Sequence, residues 1–262
     1  MPVIQSSGCP LNVEIAGPED KPALMLCNSL GTDLHMWDPQ LKPFAQEFRL
    51  IRYDRRGHGK SGVPKGPYTI EMLGRDALAI MNGLGVKKVN YCGLSMGGMV
   101  GQWLGANAPD RVERLVLANT NYYYAVKDFW HDRMKTVADK GLAAIVKSNM
   151  ERWFTEDFRQ REPGIVATMS DLFLKTPVEG YLACCAAIRD MDNREFLPKI
   201  KAPTLVIAGR SDLATPVEAA MHIQKHIPGA ALTVLEAAHI SNVEQASEFT
   251  GEVLGFLGER KA

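Results

Sequence analysis

The chain has 262 residues with 46% hydrophobic content, enough to bury the core of one main domain without disulfide or metal staples. Lys plus Arg equal Asp plus Glu at 30 each, which excludes a global field for holding nucleic acid or an anionic membrane, so an anionic ligand requires a local basic residue. The five cysteines (Cys9, Cys27, Cys92, Cys184, Cys185) are odd in number, mostly in apolar surroundings and without C-x-x-C spacing, which predicts buried reduced thiols and a cytoplasmic protein.

The start, Met1-Pro2-Val3-Ile4-Gln5, has no basic segment followed by an apolar one, and no apolar run elsewhere suffices to span a bilayer. Val3-Ile4 and Leu11 to Ile15, separated by a turn-rich stretch containing Ser6-Ser7-Gly8, predict an antiparallel hairpin at a sheet edge. Short apolar runs then alternate with helix-length segments: Ala23 to Cys27, Arg49 to Tyr53, Val89 to Cys92, Leu115 to Ala118, Thr204 to Ala208 and Ala231 to Leu235. Bounded by turn residues, they predict buried parallel strands in βα units and hence an α/β class with a mostly parallel, doubly wound sheet. Between about Tyr122 and Leu197 the alternation stops. There Trp130, Met134 and Val137, then Leu142, Ile145 and Val146, recur at helical spacing. This block predicts a helical cap, residues 122–197, inserted into a core made of residues 1–121 and 198–262 and covering the carboxyl ends of its strands.

The loops after these strands carry the chemistry. Gly93-Leu94-Ser95-Met96-Gly97 follows one apolar run and precedes a helix expected to begin near Met99; small residues flanking a serine allow a sharp strand-to-helix turn that displays the hydroxyl. Serine is a weak nucleophile unless an imidazole takes its proton and an acid orients that imidazole. Asp212, in Gly209-Arg210-Ser211-Asp212, follows the strand ending at Ala208, and His239 follows the strand ending at Leu235, which gives the order serine, acid, histidine. Asn119, after Ala118, occupies a rival acid position but cannot take the anionic role. Met96 N–H is expected as one oxyanion donor, and Leu30 N–H, in Asn28-Ser29-Leu30-Gly31-Thr32, as the second.

Other patterns read as structural. Gly57-His58-Gly59 lacks phosphate-loop spacing and reads as a turn, with Asp54 and Arg56 bonding the surrounding loops. Asp190 and Asp192 read as caps or solvated positions. His222 and His226, four apart, lack the H-E-x-x-H pattern and read as a solvated helix face. No metal or other cofactor is assigned.

These residues resemble the α/β hydrolases with an inserted helical cap over nearly the whole chain: Asp54-Arg55-Arg56-Gly57-His58-Gly59-Lys60-Ser61, the turn at Ser95, Asp212 with Pro216, and His239. A narrower set resembles 3-oxoadipate enol-lactonases: Asn28 to Trp37, Arg152-Trp153-Phe154, Glu179-Gly180-Tyr181 with Ala183 to Asp190, and Ala238 to Gln245. In many relatives the first of these loops opens with His-Gly, whereas here it opens with Asn28-Ser29. The resemblance implies the α/β-hydrolase fold and hydrolysis of 3-oxoadipate enol-lactone, a small anionic lactone, to 3-oxoadipate in the β-ketoadipate pathway of aromatic catabolism. A carboxylate on the substrate asks for a cation, for which Arg133, one helical turn after Trp130, is the candidate; Trp130 and Trp153 would form an apolar wall. Two other functions fit the same residues: a broad carboxylesterase or perhydrolase, and a non-catalytic receptor for a small ligand.

Overall fold

The computed structural model describes residues 3–258, so Met1 and Pro2 of the leader reading, and the last four residues of the expected core, lie outside the described residues. Within them, strands β1 (Val3–Ser6), β2 (Cys9–Ala16), β3 (Ala23–Cys27), β4 (Arg49–Tyr53), β5 (Val89–Leu94), β6 (Val112–Ala118), β7 (Thr204–Gly209) and β8 (Ala231–Leu235) form one sheet of eight, in the order β1-β2-β4-β3-β5-β6-β7-β8. The expected hairpin is present: β1 and β2 pair antiparallel from Ser6↔Cys9, and the two residues between them, Ser7 (φ 47°) and Gly8 (φ 75°), both have the positive φ of a type I′ turn. Strand β2 is also antiparallel to β4, and the remaining pairings are parallel. Every residue of β5 and β7 is buried, as a parallel strand covered on both faces requires.

Helices α1 (Asp38–Glu47), α2 (Ile70–Gly83) and α3 (Met96–Asn107) connect the first strands. Helix α3 begins at Met96, immediately after Ser95, rather than near Met99 as the apolar pattern suggests. Its first turn contains Gly97 and Gly98, which leave no side-chain periodicity to read. Between β6 and β7 come α4 (Asp128–Lys140), α5 (Val146–Trp153), α6 (Glu156–Arg161), α7 (Pro163–Leu174) and α8 (Val178–Asp190). Leu142 lies in a short 3-10 turn and Ile145 just precedes α5, so these two apolar residues belong to the bend between helices. The two ends of this segment meet in an antiparallel bridge between Tyr123 and Asp192, and Asn193 N–H donates to Tyr122 C=O at 2.9 Å. Helix α9 (Val217–His226) follows β7, and α10 (Ser241–Glu244) and α11 (Ala246–Gly258) close the described chain. Among the described residues no helix is long and apolar enough to cross a membrane.

The chain leaves β3 toward β4 and leaves β5 toward β6, on opposite sides of the β3–β5 pair. Such a switch opens a crevice at the carboxyl ends of these two strands. The turn after β4 is fastened beside it. Asp54 accepts from Asn12 Nδ2, Leu34 N–H and Lys60 N–H, each at 2.9 Å, and Arg56 makes a two-pronged contact with Asp76 of α2, both bonds 2.6 Å. Asp54 thus bonds neighbouring loops as expected, whereas Arg56, expected to do the same, is anchored to a helix.

Arg56 and Asp76 are both buried. Removing one partner leaves an uncompensated charge, so Asp76→Ala is expected to cost about 3–5 kcal/mol of stability. Urea unfolding at neutral pH measures this, and a loss below about 1 kcal/mol would contradict it.

Candidate active site

Ser95 lies between β5 and α3 with φ 57° and ψ −116°, a conformation L-residues rarely adopt. A Cβ on Gly93 would run into the Gly97 carbonyl and one on Gly97 into the Cys27 carbonyl, which explains why the positions two residues before and after the serine are glycine. Hydrogen bonds hold the turn: Ser95 N–H to Ala118 C=O at 2.8 Å, Thr120 Oγ1 to Ser95 C=O at 2.7 Å, and Gly97 N–H to Asn28 C=O at 3.1 Å. The last bond ties the start of α3 to the loop after β3, where Leu30 lies. Among the described residues neither Met96 N–H nor Leu30 N–H has a hydrogen-bond acceptor. Two donors are thus left open beside the serine, one of them in the first turn of a helix, where N–H groups lack intrahelical partners.

Asp212 and His239 come together across the ends of β7 and β8. His239 Nδ1 donates to Asp212 Oδ2 at 2.8 Å, and both residues are buried. This fixes the ring and leaves Nε2 as the nitrogen available to exchange a proton. Asp212 Oδ1 accepts from Ala214 N–H (2.8 Å) and Thr215 N–H (2.9 Å), while Oδ2 also accepts from Thr215 Oγ1 (2.6 Å) and Asn119 Nδ2 (3.1 Å). Burial by itself raises the carboxyl's pKa, but the charge and hydrogen bond of His239, with the hydrogen bonds from Thr215, outweigh it and hold Asp212 below its ordinary value. Asn119 does not compete with Asp212. It donates to it, donates to Ala238 C=O at 3.1 Å and accepts from Ser241 Oγ at 2.5 Å, so it links the acid to the histidine loop.

Ser95 and His239 line one cavity of about 310 Å³, together with Leu30, Trp130, Arg133 and Trp153. Arg133 is held in place, its Nε donating to Tyr181 Oη at 2.6 Å and its Nη2 to Asn149 Oδ1 at 2.5 Å. Arg152, which the sequence offers only within the Arg152-Trp153-Phe154 resemblance and with no role of its own, also lines the cavity. Its guanidinium lies 4.5 Å over the Phe129 ring and, among the described residues, has no hydrogen-bond or ion-pair partner. Burial, then the neighbouring charge of Arg133, pushes the pKa of Arg152 down. Trp130 Nε1 and Asn149 Nδ2 are buried donors with no partner, and no acidic side chain is among the lining residues. The cavity therefore offers an anion two cations and no competing carboxylate. Arg152 directly precedes Trp153, so the sequence signal was the wall candidate beside it.

The other sequence candidates lie elsewhere. His222 stacks on Tyr122 at 4.0 Å and on His226 at 3.9 Å. Asp190 pairs with Arg189 and Lys127, and Asp192 with Arg194, on exposed surface.

Because the Asp212 carboxyl is held below its ordinary pKa of 3.8, its stabilising effect is complete above that value and is lost as the pH falls through the native one. The gap in urea midpoint between the wild type and Asp212→Asn is expected to narrow as the pH is lowered from 7 toward 3. A gap that stays constant would contradict this assignment.

The sequence matches the profile of the α/β hydrolase fold family over residues 22–246. It is 41% identical over 243 residues to 3-oxoadipate enol-lactonase 2 of Acinetobacter baylyi, covering 93% of this chain and 91% of that protein. It is 36% identical over 255 residues to 3-oxoadipate enol-lactonase 1 of the same organism, covering 97% and 96%. The crystal structure of the enol-lactonase from Burkholderia xenovorans LB400 superposes with a TM-score of 0.97 at 43% identity, covering 98% of this chain and 100% of that one. The chain belongs to the α/β hydrolases and, within them, to the 3-oxoadipate enol-lactonase family.

Proposed function

We propose that this protein hydrolyses 3-oxoadipate enol-lactone to 3-oxoadipate, a step of the β-ketoadipate pathway of aromatic catabolism, with Ser95, His239 and Asp212 as its catalytic residues. The observation that carries the reading is the composition of the cavity wall: Ser95 and His239 share it with Arg133 and Arg152 and with no acidic side chain. A small ester bearing one carboxylate matches that wall in size and charge.

Ser95 Oγ attacks the lactone carbonyl carbon while His239 Nε2 takes its proton, and Leu30 and Met96 N–H hold the oxyanion. The bond from carbonyl carbon to ring oxygen then breaks, leaving an acyl-enzyme and an enol that receives the proton from His239. The enol tautomerises to the ketone, which removes the nucleophile that could re-close the ring. Water, activated by His239, releases the second carboxylate and restores Ser95. Protein groups and water supply every step, so no cofactor is required. Asp212 stays ionised throughout and orients the imidazole.

Residues 122–197 act as the cap that encloses the substrate, and residues 1–121 and 198–262 as the catalytic core. The carboxylate of the lactone sits against Arg152 and Arg133, with Trp130 and Trp153 on the apolar side. The five buried thiols support a cytoplasmic location.

Loss of the enol-lactone ultraviolet absorbance on adding enzyme, set beside turnover of a neutral aryl ester, tests the function. Strong preference for the lactone is expected. Comparable rates would indicate a broad esterase, and tight binding without turnover a receptor. Ser95→Ala is expected to lose about three or more orders of magnitude in kcat with the fold intact; retained turnover would sink the serine mechanism. Arg133→Ala and Arg152→Ala should each raise KM for the lactone about tenfold or more and leave the neutral ester nearly unaffected. Equal effects on both esters would remove the carboxylate role.

A further inference from the structure

The loop after β3 carries Leu30, and buried side chains fasten its peptide units one after another. The Asn28 carbonyl accepts from Gly97 N–H and from Arg55 Nη2. The Ser29 carbonyl accepts from Thr32 Oγ1 at 2.9 Å. Gly31 N–H donates to His58 Nε2 at 3.0 Å. Ser29 C=O and Leu30 N–H belong to the same peptide unit, and in a trans peptide the two point in opposite directions. Fixing the Ser29 carbonyl against Thr32 therefore fixes where Leu30 N–H points. Fixing Gly31 N–H against His58 holds the next unit, so the Leu30 residue is clamped from both sides.

His58 is fully buried. Accepting the Gly31 N–H requires Nε2 to be unprotonated, so the ring proton is on Nδ1, which faces Cys184 Sγ at 4.0 Å. Burial, then the charge of Arg55, pushes the pKa of His58 down to about 3, which keeps it a neutral acceptor at working pH. Gly31, at φ 74°, is covered from the other side by α7 and α8: a Cβ there would lie 2.6 Å from the Phe173 ring and 3.3 Å from the Tyr181 ring. No step of the hydrolysis uses His58, Thr32 or these rings.

We propose that His58 is a positioning residue for the oxyanion hole: by accepting Gly31 N–H, together with Thr32 on the Ser29 carbonyl, it aims Leu30 N–H at the oxygen that becomes charged when Ser95 attacks. This rests on the reading of Ser95 as nucleophile and Leu30 N–H as donor. Losing an entire oxyanion donor costs about 10²–10³ in kcat, so loosening the frame that aims one costs less, about tenfold to a hundredfold. Ground-state binding, which relies on the arginines, is spared.

The test compares His58→Leu, which removes the acceptor, with His58→Gln, whose side-chain oxygen can replace Nε2, and with Thr32→Val, which removes the hydroxyl at nearly constant volume. His58→Leu and Thr32→Val are expected to lower kcat about tenfold to a hundredfold with KM within about twofold. They should weaken binding of a carboxylate-bearing trifluoromethyl ketone, which forms a charged tetrahedral adduct with serine, by a similar factor, while inhibition by 3-oxoadipate is unchanged. His58→Gln is expected to recover most of both losses. If His58→Leu does not fold, Thr32→Val carries the same readouts. The proposal fails if kcat and ketone affinity stay at wild-type values, if the loss is in KM alone, or if Gln is no better than Leu. Ser95→Ala run in parallel separates the two failures. Turnover surviving Ser95→Ala overturns the nucleophile assignment itself, whereas turnover lost there but kept in His58→Leu overturns only the role of His58.

Discussion

The structure around the cavity depends on one strained residue. Ser95 at φ 57° stores about 1–3 kcal/mol of backbone strain, and that conformation persists only because everything around it leaves no alternative. Its amide is held by β6, its carbonyl by Thr120, and the first turn of α3 is pressed against the carbonyl of Cys27 through Gly97. The bond from Gly97 N–H to Asn28 C=O makes the turn and the loop after β3 a single unit. Two open N–H donors and the serine hydroxyl are therefore placed by the same set of contacts. A change that relaxed Ser95 would also shift the donor at Met96 and the loop that carries Leu30.

Charge is distributed locally in a chain whose total is zero. Two arginines line the cavity without a carboxylate, and the carboxylate of Asp212 beside it is taken up by His239, Thr215 and Asn119. The positive charges of Arg152 and Arg133 lie close enough for Arg133 to disfavour the charge on Arg152, and an anion bound between them relieves that repulsion. The effect favours anionic over neutral ligands even before any hydrogen bond is made. In the proposed mechanism, attack by Ser95 adds a second negative charge to a carboxylate-bearing substrate, and the same two cations help to stabilise it.

Much of this was legible in the sequence because the chemistry sits within a few residues of strand ends, and buried parallel strands announce themselves as apolar runs. The runs at Ala23 to Cys27, Arg49 to Tyr53 and Ala231 to Leu235 coincide with β3, β4 and β8. The loop residues Ser95, Asp212 and His239 follow directly from that reading. The apolar pattern places the start of α3 about three residues late because Gly97 and Gly98 contribute no pattern, although their absent side chains are what lets the helix start at Met96. Arg152, Asn149 and the donating role of Asn119 depend on contacts across the fold. Asn119 and Asp212 are 93 positions apart, and Arg133 and Tyr181 are 48 apart. No local spacing encodes such pairs. His58 read as part of a turn, and its residue type gave no sign that Nε2 would face a backbone amide of another loop.

The helices between β6 and β7 bear on the chemistry as well as on the shape of the cavity. Tyr181 accepts from Arg133, its ring meets Phe173 edge-on at 5.6 Å, and both rings close over Gly31 next to Leu30. An anion drawing on Arg133 thus pulls on a residue that packs against the loop carrying one of the two open donors. The Trp153 carbonyl accepts from Ile240 N–H at 3.0 Å, so α5 is tied to the loop of His239 in the same way. The helices between β6 and β7 therefore touch the Leu30 loop through two rings and the His239 loop through a backbone hydrogen bond, and a substitution that changes how they sit is expected to alter kcat along with KM. With Leu30 N–H proposed as a donor and His239 as the base, specificity cannot be separated from catalysis by exchanging the helices alone, because the helices rest on the loops that carry these two groups.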